Sequence, residues 1–133
     1  SYNGAEIYDD YAHHPGELHA LLDMAHALGY RRVLCAFQPH TYTRTKALFP
    51  DFVRELQAAD LVILAEIYAA REQNTIGISS ADLAAQIPGA IYCPTLADVT
   101  AALRENAQPG DLILTVGAGN IFTAGEALAA EGK

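Results

Sequence analysis

Between a strand-like run and a helix-like run the chain reads Asp9-Asp10-Tyr11-Ala12-His13-His14-Pro15, two carboxylates, a phenol and two imidazoles in seven consecutive residues. A carboxylate at a strand end can accept both hydroxyls of a ribose, and an imidazole three residues on can reach a phosphate or a carboxylate. A second polar cluster, Gln38-Pro39-His40-Thr41-Tyr42-Thr43-Arg44, follows the next apolar run. His40 and Arg44 lie four apart and share a face if the turn after Pro39 is helical. Arg44 offers a planar fork to a carboxylate such as an amino acid carries. A cation near a helix N-terminus is unfavourable by itself, so a bound anion would help to explain it. Ligands of open α/β sheets bind outside the carboxyl ends of the strands, so two clusters on successive strand ends predict one shared site.

Plainer explanations stand beside these. Helix-start chemistry alone accounts for Pro15 and the neighbouring acids, with the histidines merely solvated. Asp9, Asp10, His13, His14 and His40 are all competent metal ligands. Adjacent histidines rarely hold one ion, however, and no second His or Cys motif falls at ligand spacing, so no metal site is assigned. Arg71 and Glu72 read as a solvated pair, with a lid or a contact to another domain as the alternative. Gly117-Ala118-Gly119-Asn120 could present N–H groups to an anion, but a tight turn needs the same glycines. His19 and His26 fall on the first helix as surface residues. The chain has no Gly-x-x-x-x-Gly-Lys-Ser/Thr phosphate loop, and its only lysines are Lys46 and Lys133. If ATP is used, its phosphates are gripped elsewhere.

The elements that must position these clusters alternate along the chain. Ala5 to Asp9 reads as a strand. Pro15 opens a helix whose Leu18, Leu21, Leu22, Ala25 and Leu28 recur at helical spacing, with Gly29 as its C-terminal cap. Val33 to Phe37 has the continuous apolar character of a buried parallel strand. A second helix begins near Thr43 to Thr45, buries Leu48, Phe49, Phe52, Val53 and Leu56, and is broken or restarted at Pro50. Leu61 to Ala65 is a strand and Glu66 to Ile78 a loop. Ser79 or Ser80 caps a helix running to Ile87, Ala90 to Tyr92 is a short strand, and Leu96, Val99 and Leu103 mark another helix. Leu112 to Val116 is the last strand, and the final helix points Ile121, Phe122 and Leu128 inward. The expected fold class is α/β: a three-layer, Rossmann-like, mostly parallel sheet with helices on both faces.

Composition bounds the rest. At 133 residues, 51% of them hydrophobic, the chain fits one domain with a real core. A formal charge of −8 argues against a nucleic-acid surface, which needs a basic stripe. No apolar run approaches a membrane span. Cys35 and Cys93 follow no pairing pattern and read as small buried hydrophobes, which points to a reducing cytoplasm. The only methionine is Met24, and the strand starts almost at once after Ser1, so residues 1–133 are expected to be one domain excised from a larger protein.

The two clusters, extended to Phe37–Thr45 and joined by Ile67-Tyr68-Ala69-Ala70-Arg71-Glu72 and Gly117-Ala118-Gly119-Asn120-Ile121, resemble the C-terminal domain of the Mur ligase family over nearly the whole chain. The Asp10-x-x-His13-x-Pro15 part alone is less specific, since folylpolyglutamate synthases carry a similar Asp-x-x-His-Asn-Pro. The resemblance implies a three-domain cytoplasmic enzyme of peptidoglycan synthesis that joins L-alanine to the carboxylate of UDP-N-acetylmuramate through an acyl phosphate. The N-terminal domain would hold the UDP-sugar, and the central domain the ATP phosphates and Mg2+. By the same resemblance Asp10 would contact the ATP ribose, and Tyr11 and His13 would border the amino-acid pocket. His40 and Arg44 would orient the alanine carboxylate or stabilise the anionic intermediate. His13, His40 and Arg44 are thus the catalytic candidates, with orientation as the role of His13 and proton acceptance from the amine as its alternative. Thr41 stands where some members carry arginine, and His14 where related ligases carry asparagine. Alternatives are the recycling ligase that attaches a tripeptide to the same sugar, a stand-alone nucleotide- or anion-binding module, and a metal-dependent hydrolase built on the histidines.

Overall fold

The computed structural model describes residues 1–132. Five parallel strands form one sheet in the order β1-β5-β2-β3-β4, built from β1 (Glu6–Asp10), β2 (Arg32–Phe37), β3 (Leu61–Ala65), β4 (Ile91–Cys93) and β5 (Asp111–Val116). Five helices lie between the strands, α1 (Pro15–Ala27), α2 (Tyr42–Ala47), α3 (Phe49–Leu56), α4 (Ser80–Gln86) and α5 (Leu96–Asn106), and α6 (Phe122–Glu131) follows β5. The expected three-layer α/β architecture is what the chain adopts.

Strand periodicity sorts the core into two halves. Val33, Cys35 and Phe37 of β2 with Leu112, Leu114 and Val116 of β5 pack under Leu18, Leu21, Leu22 and Ala25 of α1, Phe52 and Leu56 of α3 and Leu83 of α4. Leu34 and Ala36 of β2, Ile63 of β3 and Ile113 of β5 face the other way, onto Val99 and Leu103 of α5 and Ala124 and Leu128 of α6. Both cysteines are buried and unpaired, and burial pushes the Cys35 thiol up to about 12. The edge strand β1 is the exception, with Glu6, Tyr8 and Asp9 exposed.

Local chemistry sets the boundaries. Leu28 ends α1 and Gly29 follows with φ 82, the left-handed conformation that glycine supplies without strain. Pro50 sits in the first turn of α3 and Leu48 separates α2 from α3, so the expected restart occurs. Ser79 caps α4 in a reciprocal box with Asp82. Phe122 corrects one expectation. It is 43% exposed, while Ile121 and Leu128 are fully buried, because α6 turns its small residues Ala124 and Gly125 to the sheet at that level.

In register, Asp10 lies beside Val116, Val116 beside Phe37 and Phe37 beside Leu64. The loops leaving β1, β5, β2 and β3 therefore rise from one rim. The opposite rim is pinned by Asp111, whose carboxylate has no solvent exposure and takes two hydrogen bonds from Arg32 at 2.7 and 3.1 Å and one from the Gln108 N–H at 2.9 Å. Burial pushes its carboxyl upward, but the Arg32 fork and the Gln108 N–H outweigh that and hold it below its ordinary value.

Candidate functional site

The first wall of the rim is the turn from β1 into α1. Asp10 accepts the Ala12 N–H on Oδ1 at 2.9 Å, which fixes the carboxylate at the strand end and leaves Oδ2 without a hydrogen bond among the described residues. Asp9 points to the other face of the strand, where the Thr115 hydroxyl donates to it at 2.7 Å, so the two acids do not act together. His14 caps α1, its Nδ1 accepting from the Gly16 N–H at 3.1 Å. The Glu17 carboxylate reaches back to the N–H groups of His14 and His13 at 3.1 and 3.2 Å. The His13 N–H leads the causes that hold Glu17 below its ordinary value. An acceptor is what an asparagine would also supply at position 14, which explains the substitution physically. His13 Nδ1 lies 3.1 Å from the Tyr11 carbonyl. A carbonyl only accepts, so Nδ1 carries the hydrogen and Nε2 of the neutral ring carries the lone pair.

The second wall leaves β2. Gln38 is 5% exposed and acts as a bracket. Its Oε1 accepts from the N–H groups of Asn120 and Ile121 at 3.0 and 3.1 Å, and its Nε2 donates to Asn120 Oδ1 at 2.8 Å. The N–H groups of Asn120 and Ile121 are therefore already taken, and that of Gly117 is given to the Asp10 carbonyl at 3.0 Å. A Cβ at Gly119 would lie 2.6 Å from both Gln38 Oε1 and Tyr68 Cγ, so only glycine fits there.

Beyond Gln38 the chain is held by residues of the loop after β3. The Tyr68 N–H donates to the Pro39 carbonyl and the Thr41 N–H to the Tyr68 carbonyl, each at 2.8 Å. Thr41 has φ 65, an uncommon conformation for a β-branched residue. Its carbonyl takes the Thr45 hydroxyl at 2.6 Å and its own hydroxyl faces the Arg44 N–H. The N-terminus of α2 is completed by Glu72, which accepts from the N–H groups of Tyr42 and Thr43 at 2.7 and 3.1 Å and from the Thr43 hydroxyl. Those bonds, the hydroxyl first, keep its carboxyl below the ordinary range. Glu72 is thus no partner of Arg71 but the cap of α2, a correction to the solvated-pair reading. Arg71 is exposed and makes no ion pair among the described residues.

The two walls meet. His13 and His40 have ring centroids 6.1 Å apart, Tyr11 stands edge-on to His13 at 6.4 Å, and Tyr68 stacks on His40 at 5.6 Å with planes 25° apart. Burial first, then the Arg44 cation and the neighbouring His13, push the His40 imidazole below its ordinary value against the opposing charge of Glu72. Its Nδ1 is enclosed and has no hydrogen-bond partner among the described residues. Arg44, one turn along α2, is exposed, and its guanidinium makes no ion pair among the described residues. Asp10, Tyr11, His13, His40 and Arg44 all lie on this rim. Among the described residues no three His, Cys, Asp or Glu side chains converge as a metal ion would need. Sequence reasoning missed Gln38, Tyr68 and Glu72 as the residues that frame the site, and also Glu66. The last accepts from the Ile67 and Ser80 N–H groups and from the Ser79 and Tyr92 hydroxyls. Burial raises its carboxyl and these four donors more than compensate. The one sequence signal for it was an acid at a strand end.

A family model described as Mur ligase, glutamate ligase domain, matches residues 1–119. The UDP-N-acetylmuramate–L-alanine ligase of Caldanaerobacter subterraneus is 46% identical over 98% of this chain and 29% of its own length. The enzyme of the same name from Agathobacter rectalis is 49% identical over 95% of this chain and 28% of its own. The crystal structure of the UDP-N-acetylmuramate–alanine ligase of Thermotoga maritima superposes with a TM-score of 0.73 at 23% identity, covering 97% of this chain and 27% of that one. At that identity the likeness is one of fold. The chain spans less than a third of the length of the curated relatives it matches.

Proposed function

The chain belongs to the Mur ligase family, to its glutamate ligase domain, and on that premise we propose that it is the C-terminal domain of a longer, three-domain ATP-dependent ligase that joins L-alanine to UDP-N-acetylmuramate. The observation that carries this reading is the meeting of His13 and His40 from two separate strand ends, 6.1 Å apart, with an exposed Arg44, unpaired among the described residues, one turn away in a chain of charge −8. Such a cluster fits a small anion that also presents an amine.

The proposed chemistry has two steps. The ATP γ-phosphoryl group passes to the muramate carboxylate, giving an acyl phosphate and ADP. The neutral amine of alanine then attacks the acyl carbon, a C–N bond forms, phosphate leaves with the C–O bond pair, and the amine gives up a proton. Mg2+, held with the phosphates by the preceding domains, would neutralise phosphate charge when bound.

This chain would contribute placement and charge. Oδ2 of Asp10, held in position through Oδ1, is set to accept ribose hydroxyls. Arg44 would take the alanine carboxylate in a bidentate pair, with His40 beside it as a neutral donor. His13, its Nδ1 committed to the Tyr11 carbonyl, would present Nε2 to the amine and orient it. Tyr11, 69% exposed and edge-on to His13, would form the outer wall. In that enzyme no membrane contact is required of this domain; among the described residues no helix is long and apolar enough to cross a membrane.

The test is steady-state kinetics of the full-length protein. Arg44→Ala is expected to raise the KM for L-alanine about 100-fold while leaving that for ATP within a few-fold, since a bidentate charge-assisted pair is worth about 2–3 kcal/mol. Asp10→Asn is expected to do the converse. An unchanged alanine KM in Arg44→Ala removes the reading, and preference for a tripeptide over L-alanine assigns the chain to the recycling ligase instead.

A further inference from the structure

A functional imidazole is ordinarily aimed by the hydrogen bond its second nitrogen makes. His13 obeys that rule, through Nδ1 and the Tyr11 carbonyl. His40 does not, because its Nδ1 is enclosed without a partner among the described residues. Something else must fix that ring, and the groups around it are few. Thr41 and Pro39 bracket it in the chain, and both are tied by backbone hydrogen bonds to the two sides of a single residue, Tyr68. The same residue lays its ring on the imidazole at 5.6 Å and 25°. The Tyr68 ring is in turn seated against Gly119, where a methyl group would approach it to 2.6 Å. Its hydroxyl makes no hydrogen bond within the described residues, so what the side chain contributes here is its aromatic face.

We infer that Tyr68 is the positioning residue for His40: stacking on a ring seated against Gly119 replaces the hydrogen bond that would otherwise aim the imidazole at the substrate. The inference rests on the proposed role of His40 in holding the amino acid. It makes the loop after β3 part of the reaction machinery without any atom of Tyr68 having to touch the reacting centre. It also explains why position 119 is glycine although it does not need a positive φ.

The consequence is readable in a pH profile. The groups facing His40 are Arg44 of α2, His13 of the β1–α1 turn and Glu72 of the loop after β3. Burial is the first cause holding the imidazole low, and the Tyr68 ring supplies part of that burial. Removing the ring admits water and the His40 value rises toward its ordinary 6.5, so the NMR titration of the His40 ring moves to higher pH.

In the full-length enzyme, Tyr68→Leu is expected to lower kcat/KM for L-alanine about 10- to 100-fold, the scale of a misplaced catalytic group, and to shift the NMR titration of the His40 ring upward. Tyr68→Phe, which keeps the face and drops the hydroxyl, is expected to restore both. A variant that is merely less stable loses active enzyme without moving that titration, so a fall in rate with an unmoved His40 titration overturns the inference. So does a Tyr68→Phe enzyme as impaired as Tyr68→Leu. His40→Ala separates this from the underlying reading: if it keeps native kcat/KM for L-alanine, the role of His40 itself fails, whatever Tyr68 does.

Discussion

Replacing Gln38 by leucine isolates the bracket between the strand β2 and the glycine loop. Three hydrogen bonds are lost at once, two from backbone N–H groups and one to the Asn120 side chain. They are not equal. Ile121 is fully buried, so its N–H is stranded, at a cost of about 1–3 kcal/mol. Asn120 is exposed, and its N–H and amide recover water, which limits their loss to about 1 kcal/mol in total. The sum is about 2–4 kcal/mol, a large share of the stability of a domain of this size. At about 3–4 °C per kcal/mol the melting temperature falls by about 6–16 °C. Gln38→Glu is the companion variant. Its carboxylate still accepts both N–H groups at the positive end of α6, and the Asn120 amide can turn to donate, so the cost stays below about 1 kcal/mol. Urea unfolding of both variants against the native chain measures this directly, with an unchanged m-value certifying that only stability has moved. A Gln38→Leu loss under about 0.5 kcal/mol, or equal losses in the two variants, would refute the bracket.

Two further outcomes are expected. Asp111→Asn leaves the Arg32 guanidinium beside a neutral amide and is expected to cost about 2–3 kcal/mol, the low end for a broken buried pair because Arg32 keeps 29% exposure. The folded Asp111 carboxyl is depressed, so its contribution is complete above the ordinary value of 3.8 and fades as pH falls through the folded one. A urea series from pH 7 to 3 should show the Asp111→Asn deficit shrinking below about pH 4, and a deficit constant with pH contradicts the assignment. At the α1 cap, His14→Ala is expected to lose about 1 kcal/mol while His14→Asn stays near the native value, both read by thermal unfolding; equal losses would mean that the Gly16 bond contributes nothing.

How much of this was legible in the residues follows the range of the interactions. Leu18, Leu21, Leu22 and Ala25, or Val33 to Phe37, declare their element and buried face within a few residues, so the layers, their order and the parallel strands could be read off directly. The caps at Ser79 and Gly29 are equally local. The convergence of His13 and His40 was predictable as soon as both were placed at strand ends. What stayed hidden is held across distance. Glu72 caps a helix thirty residues earlier in the chain, Gln38 brackets a loop 82 residues later, and no periodicity encodes such pairings. Phe122 was misread for a related reason: an aromatic residue at a helix start looks like core until the sheet facing that helix is known.

The position of β5 between β1 and β2 has a consequence for the order in which the domain can assemble. Asp9 and its partner Thr115 are 106 residues apart, and among the described residues β1 has no neighbour in the sheet but β5. At about 5–20 residues per second of synthesis, β1 waits about 5–20 s before the strand that seats it exists. Sheets β2-β3-β4 can pair meanwhile, and the Asp10 wall is added last, by a slow, long-range closure. A chain interrupted anywhere before β5 therefore carries His40 and Arg44 on a partly built sheet but never sets Asp10 and His13 against them. The strand order itself keeps nascent or truncated chains from assembling both walls of the candidate site.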